Sequence, residues 1–184
     1  SQVCIPSIYQ DELGAVWLGT TEGLNRYNGK DVRVFQPSES NHGLTNNEIN
    51  ELCGDKNGRM YIRSGNDLIK LDIYTEQFTC LRQKGVYGLF CKKDTLWVSC
   101  ADGIYYYTGQ GTELTFFARV QKGFVGRALY VDRETVWVVT RKYLVAISRE
   151  DPLRQEILLT LDKGNCILGD SSGNIWVGAW NGLY

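Results

Sequence analysis

The sequence predicts an all-β fold, a β-propeller fragment built from four-stranded antiparallel blades. Three observations carry this. The stretch "DELGAVWLGTTEGLN" (11–25) returns as "DSSGNIWVGAWNGLY" (170–184) at an offset of 159 residues. Weaker copies between them put an aromatic marker at Trp17, Tyr61, Trp97, Trp137 and Trp176, at intervals of 44, 36, 40 and 39 residues. Eleven Tyr, six Phe and five Trp with twenty Gly and only three Pro suit short half-buried strands separated by tight turns. A period near 40 excludes the shorter leucine-rich and ankyrin repeats and leaves a propeller blade or a helix pair. Period-two alternation with no helical stripe decides for the blade.

Each copy supplies its strands in the same order. The first is a short alternating stretch: "VCIPSIY", "INELC", "VYGLF", "RALYV" and "CIL". The marker strand follows ("VWLGT", "MYIRS", "LWVSC", "VWVVT", "IWVGA"). The third strand reads "GLNRY", "DLIKL", "GIYYY" or "YLVAI", and the fourth "VRVF", "QFTCL", "LTFFAR" or "EILLTL". Repeats therefore begin near residues 1, 45, 83, 124 and 164 of a single 1–184 domain. That amounts to about four and a half blades, an open arc whose fifth blade stops in its third strand. The chain starts with Ser, so it is expected to be an excised piece, and its unpaired ends are expected to drive self-association.

The turns before the marker strand have their own chemistry. In "DELG", "DKNG" and "DSSG" the Asp bonds back to the backbone and the Gly takes the positive φ that re-enters the strand. Copies three and four lack that Gly and predict tighter hairpins at Lys93-Asp94 and Arg133-Glu134. The aromatic marker is expected to fill the seam between blades.

Several chemistries lack their residues. Net charge is −1, which gives no basis for nucleic-acid binding, and no apolar run could cross a membrane. The six Cys form no CxxC pair, and they read as buried thiols, although an even count permits disulfides. His42, the one His, cannot supply a His-based metal cluster, and a Ser-His-Asp site would have to form around it without a nucleophile elbow. "DKNG" lacks the downstream Glu of a calcium loop, and no GxxxxGK phosphate loop is present. Asp11, Asp55 and Asp170 read as turn formers, not catalytic carboxylates. Tyr105 and Tyr107 share one strand face and read as core, with Tyr106 on the other face. No catalytic residue, metal or cofactor is therefore expected.

Departures from the repeat point to recognition. In an up-and-down blade, the turns after the marker strand lie on the same face as the links between blades. That face carries Thr21-Glu22, Asn66-Asp67, Arg141-Lys142, Trp180-Asn181 and the link 36–47. Variable loops on a rigid scaffold are where ligands bind. Arg63, standing where the first copy has Gly19, Arg141 and Trp180 are the candidate ligand contacts.

The run from Asp11 to Tyr27, continued by Phe35 and Leu44-Thr45-Asn46-Asn47, resembles the two-component regulator propeller repeat: an Asp-x-x-Gly turn, Trp-Leu-Gly-Thr, Gly-Leu-Asn-Arg-Tyr, then Leu-Thr-Asn-Asn. The Trp-Asp and Gly-Gly signatures of other propellers are missing. The resemblance implies an arc of a seven-bladed propeller in the periplasmic region of a hybrid two-component sensor of gut Bacteroidetes, anchored in the inner membrane, dimeric, and coupled to a histidine kinase outside this chain. It implies an oligosaccharide as the signal, and no ligand residues can be carried over with it. The alternatives are a carbohydrate-active propeller enzyme, lyase or glycosidase, which needs facing carboxylates or a Tyr/His pair, and a protein-interaction scaffold, which needs a broad apolar patch.

Overall fold

The computed structural model describes residues 4–37, 43–82 and 84–184. His42 and part of the link 36–47 lie outside them. Five antiparallel sheets follow one another along the chain, with strand order equal to chain order in each. Blade 1 is β1 (Ser7–Gln10), β2 (Val16–Thr20), β3 (Gly23–Tyr27) and β4 (Val32–Phe35). Blade 2 is β5 (Ile49–Gly54), β6 (Arg59–Ser64), β7 (Asp67–Asp72) and β8 (Gln77–Arg82). Blade 3 is β9 (Val86–Lys92), β10 (Thr95–Cys100), β11 (Gly103–Tyr107) and β12 (Thr115–Ala118). Blade 4 is β13 (Gly126–Val131), β14 (Thr135–Thr140), β15 (Tyr143–Ser148) and β16 (Gln155–Thr160). Blade 5 is β17 (Cys166–Gly169), β18 (Ile175–Ala179) and β19 (Gly182–Leu183). The first strands of successive blades, β1, β5, β9, β13 and β17, pack side by side, which makes them the inner strands of a propeller.

The structure corrects one expectation. It contains five blades, and a seven-bladed ring has no counterpart among the described residues. The reason is physical: each blade contacts only its neighbours, so no single repeat encodes the ring size.

The apolar core is divided into seams. One joins Trp17, Leu24 and Phe35 of blade 1 to Ile49, Leu52 and Met60 of blade 2. The next joins Tyr61 and Leu68 to Leu89, Leu96, Val98 and Tyr107. A third joins Trp97 and Ile104 to Leu129, Val131 and Val136, and a fourth joins Val139 and Leu144 to Val177, with Trp137 packed against them. Each aromatic marker from blades 1 to 4 therefore sits at the seam with the following blade, as its size and few rotamers favour. Trp176 of blade 5 has 43% of its surface exposed.

The marker is held by the turn before it. Asp11 Oδ1 accepts the amides of Leu13 and Ala15 at 3.0 and 2.9 Å, and its Oδ2 accepts the indole N–H of Trp17 at 2.7 Å. Asp132 and Asp170 do the same for Trp137 at 2.7 Å and Trp176 at 3.0 Å. The Asp is thus more than a turn former, because it satisfies the one polar atom of the seam-filling ring. Blade 2 departs from this: Asp55 pairs with Arg59, and the buried Tyr61 hydroxyl has no hydrogen-bond partner among the described residues. Gly14, Gly58 and Gly173 take φ of 83, 83 and 87°, as the sequence predicts. The Gly-less turns are the expected tight hairpins, with Lys92 paired to Thr95 and Asp132 N–H donating to Thr135 O at 3.1 Å.

Two predictions follow from the lock. Asp11→Ala leaves a buried indole N–H and the buried Ala15 amide unpaired, and chemical denaturation should show a loss of about 2–4 kcal/mol. Tyr61→Phe removes a buried hydroxyl that has no partner among the described residues, so the same measurement should show no loss, or a gain of up to about 1 kcal/mol.

Candidate functional site

Side chains that brace the fold can be separated from those left free. On the face carrying the second turns and the inter-blade links, some turn side chains are engaged. Asp67 Oδ1 accepts the Lys84 amide. Asp102 pairs with Arg82 and Tyr105. The turns of blades 4 and 5 differ. Arg141, Lys142 and Trp180 are exposed, and Trp180 keeps 78% of its surface.

Those turns border a cleft of 540 Å³ between blades 4 and 5, lined by Arg127, Arg141, Lys163, Asn165, Cys166 and Trp180. A smaller cleft of 240 Å³ adjoins it, sharing Arg127 and Arg141 and adding Tyr87, Phe124 and Lys142. Together they form a trough bearing four cations and three aromatic rings. Among the described residues, none of these four cations has a carboxylate within 4.0 Å. The Lys163 ammonium lies 4.9 Å from the centre of the Trp180 ring. The trough's frame is backbone: Trp180 N–H donates to Asp162 O at 2.9 Å and Gly164 N–H to Arg141 O at 3.0 Å.

Two members of the trough arrive by the same device. The pairing of β13 with β14 runs Gly126 to Thr140 and then Ala128 to Val139, so Arg127 is an extra, bulged residue. Tyr87 is the equivalent residue in β9, between Val86 and Gly88. A bulge leaves one residue unpaired and re-aims its side chain, here into the trough.

The structure brings Arg141 and Trp180 together and leaves Arg63 elsewhere. Arg63 Nε lies 3.4 Å from Glu51 Oε2, which also accepts the Leu89 amide at 3.1 Å. Arg63 therefore balances an inner-strand carboxylate of blade 2, placed opposite it by a bulge at Asn50. Arg127 and Lys163 are the contacts that sequence reading missed. Lys163 lies in the link 161–165 between β16 and β17, on the same face as the turn at Trp180. Arg127 had no signal, since a bulge has no sequence signature here.

On the opposite face, a cleft of 550 Å³ holds Lys92, Asp94, Trp97, Asp132 and Arg149. Its carboxylates are engaged: Asp132 holds Trp137, and Asp94 accepts from Asn57 at 2.5 Å. Burial opposes ionisation of Asp132, but the Trp137 indole and the Glu134 and Thr135 amides outweigh it and lower its pKa. Asp170 is held down at about 2, first by the Asn174 side chain and then by Trp176.

The fold and its repeated aromatic seams define the chain as a β-propeller. No family model matches the sequence, and no curated protein matches it. Among solved structures it is similar to one described as the extracellular domain of a hybrid two-component system, BT3049 of B. thetaiotaomicron, with TM-score 0.85 and 22% identity over 100% of this chain. The corresponding domain of BT4673 from the same organism gives a TM-score of 0.59 at 20% identity, again over 100% of the chain. The gluconolactonase XC5397 of Xanthomonas campestris gives 0.70 at 13%, over 96% of this chain and 69% of its own. The chain spans 28% of the BT3049 domain and 32% of the BT4673 domain. No helix among the described residues is long and apolar enough to cross a membrane.

Burial pushes Glu51 up to about 7, against the lowering effects of the Arg63 charge and the Leu89 amide. A carboxyl whose pKa rises on folding favours the folded state in its protonated form. Between its unfolded value near 4.5 and about 7 the folded state holds more protons, so stability falls as pH rises through that window. Denaturation midpoints should decline across it, by up to about 3 kcal/mol in all, and Glu51→Gln should flatten that slope.

Proposed function

We propose that the chain is part of the extracytoplasmic region of a two-component receptor of the hybrid type, where it recognises an oligosaccharide and signals to a histidine kinase outside this segment. The single observation that carries the reading is the trough of Arg127, Arg141, Lys142 and Lys163 flanked by Trp180. An exposed indole offers the flat apolar face on which a sugar ring packs, and arginine forks bind carboxylate or sulfate in two-point geometry. A saccharide carrying acidic groups matches this set better than a neutral one. The likeness to the BT3049 and BT4673 extracellular domains supports the placement outside the cytoplasm.

In this reading the blades form a rigid mount and take no part in catalysis. The apolar outward faces at Ile8, Val32 and Val34 of blade 1 and Leu168 and Trp176 of blade 5 are exposed. They are the surfaces on which a further blade of the receptor or a second copy would pack. A propeller lyase or glycosidase remains the rival, and turnover of the bound saccharide would establish it.

The test is calorimetric titration of the receptor's complete extracytoplasmic region with neutral, uronate-bearing and sulfated oligosaccharides. Acidic members should bind, with affinity falling as salt rises. Trp180→Ala and Arg141→Ala should each weaken binding by roughly tenfold or more, a cost of at least about 1.4 kcal/mol, while the melting temperature holds, because both side chains are exposed. Binding indifferent to both substitutions and to salt would place the ligand elsewhere.

A further inference from the structure

The inner strands of neighbouring blades cross in a fixed relation. Tyr9 of β1 lies over Gly54 of β5, where an added Cβ would stand 2.1 Å from its hydroxyl oxygen. Tyr130 of β13 lies over Gly169 of β17 in the same way, with 2.1 Å to the ring. In both cases the residue opposite the aromatic marker, Tyr9 facing Trp17 and Tyr130 facing Trp137, meets the following blade one position further along its inner strand. Between blades 2 and 3 the same two positions are Cys53, opposite Tyr61, and Cys91, opposite Leu96. Their sulfurs are 2.8 Å apart. This is inside ordinary contact for two thiols and less than about 1 Å from the bonded length of roughly 2.05 Å.

We propose that Cys53 and Cys91 form a disulfide that staples blade 2 to blade 3. At the blade 1–2 and blade 4–5 crossings an aromatic ring fills this place against a glycine; here two small thiols occupy it, and a covalent bond takes the place of the ring contact. The bond would close a loop across 38 residues of sequence separation. The step is a thiol–disulfide exchange. One thiol loses its proton, its thiolate attacks the disulfide of an oxidant such as oxidised glutathione, and one glutathione thiolate leaves. The second cysteine's thiolate then attacks the mixed disulfide and displaces the rest of the glutathione. Two protons leave the protein and two electrons pass to the oxidant, which becomes two glutathione thiols. The other four cysteines contribute nothing to the bond: Cys4 and Cys166 are exposed, and Cys80 and Cys100 have no thiol partner among the described residues.

The test needs no variant. The full chain is incubated with oxidised glutathione, the remaining thiols are alkylated under denaturing conditions, and peptides are mapped without reduction. A linked pair carrying Cys53 and Cys91 is expected, with Cys80 and Cys100 alkylated. Reduction should lower the melting temperature by roughly 5–10 °C, and the double variant C53A/C91A should melt the same with and without reductant. Alkylation of Cys53 and Cys91 in the oxidised sample, or a link from either one to a different cysteine, would overturn the assignment. The result is independent of saccharide binding, so the staple and the sensory reading stand or fall separately.

Discussion

The hydrogen bond from a buried indole to the carboxylate of the preceding turn is the interaction on which the rest of the propeller depends. A seam between blades needs a large flat filler, and tryptophan supplies one at the cost of a polar N–H in an apolar place. Asp11 meets that cost with one oxygen while the other ties down its own turn. A single residue thereby fixes the hairpin, the rotamer of the ring and the distance to the next blade. Where the pair is lost, the substitutes are less economical. Blade 2 puts Arg59 against Asp55 and leaves the Tyr61 hydroxyl unbonded. Blade 3 has Lys92 at the carboxylate position, reaching Val131 O at 2.7 Å, while Arg149 covers Trp97 at 5.6 Å.

Because every seam is closed by neighbours alone, stability is distributed along the chain and not pooled in one core. The loops at the blade ends are released from structural duty to different extents, and this is what makes a recognition surface possible. Bulges at Tyr87 and Arg127 exploit the freedom on the inner strands, turning one residue per strand out of the ladder without disturbing the seam behind it.

The strands, their order and the seam role of the aromatic markers were legible in the sequence because they follow from period-two alternation and turn chemistry repeated five times. The site was legible in part. The loop face could be deduced from blade topology, and Arg141 and Trp180 lie on it. Arg63 could not be judged, because its pairing with Glu51 depends on a bulge at Asn50 that shifts the register by one. Arg127 was hidden for the same reason. The Cys53–Cys91 approach was hidden by a different one: the two cysteines occupy positions offset by one between blades, so superimposing the repeats sets neither against the other. Asp11 illustrates a third limit. Its spacing from Trp17 was visible, but a sufficient role in the turn concealed the second role in the seam.

Trp180 can now be weighed against its equivalents. In blades 1 and 4 the second turn is capped by a hydroxyl: Thr20 Oγ1 accepts the Glu22 amide at 3.0 Å, and Thr140 Oγ1 accepts the Tyr143 amide at 2.8 Å. Blade 5 has Ala179 at that position and no hydroxyl to use. Its turn is held instead by the backbone bond from Trp180 N–H to Asp162 O, which any residue but proline could make. The indole is therefore not required by the turn, and with 78% of its surface in solvent it is not required by the seam. A folding argument accounts for every other tryptophan in the chain except the exposed face of Trp176. It does not account for a ring set beside Arg141 and Lys163 on the rim of a cleft whose cations have no carboxylate partner among the described residues. Such a group of cations repels itself, and that repulsion is the physical ground for the acidic ligand proposed for the trough.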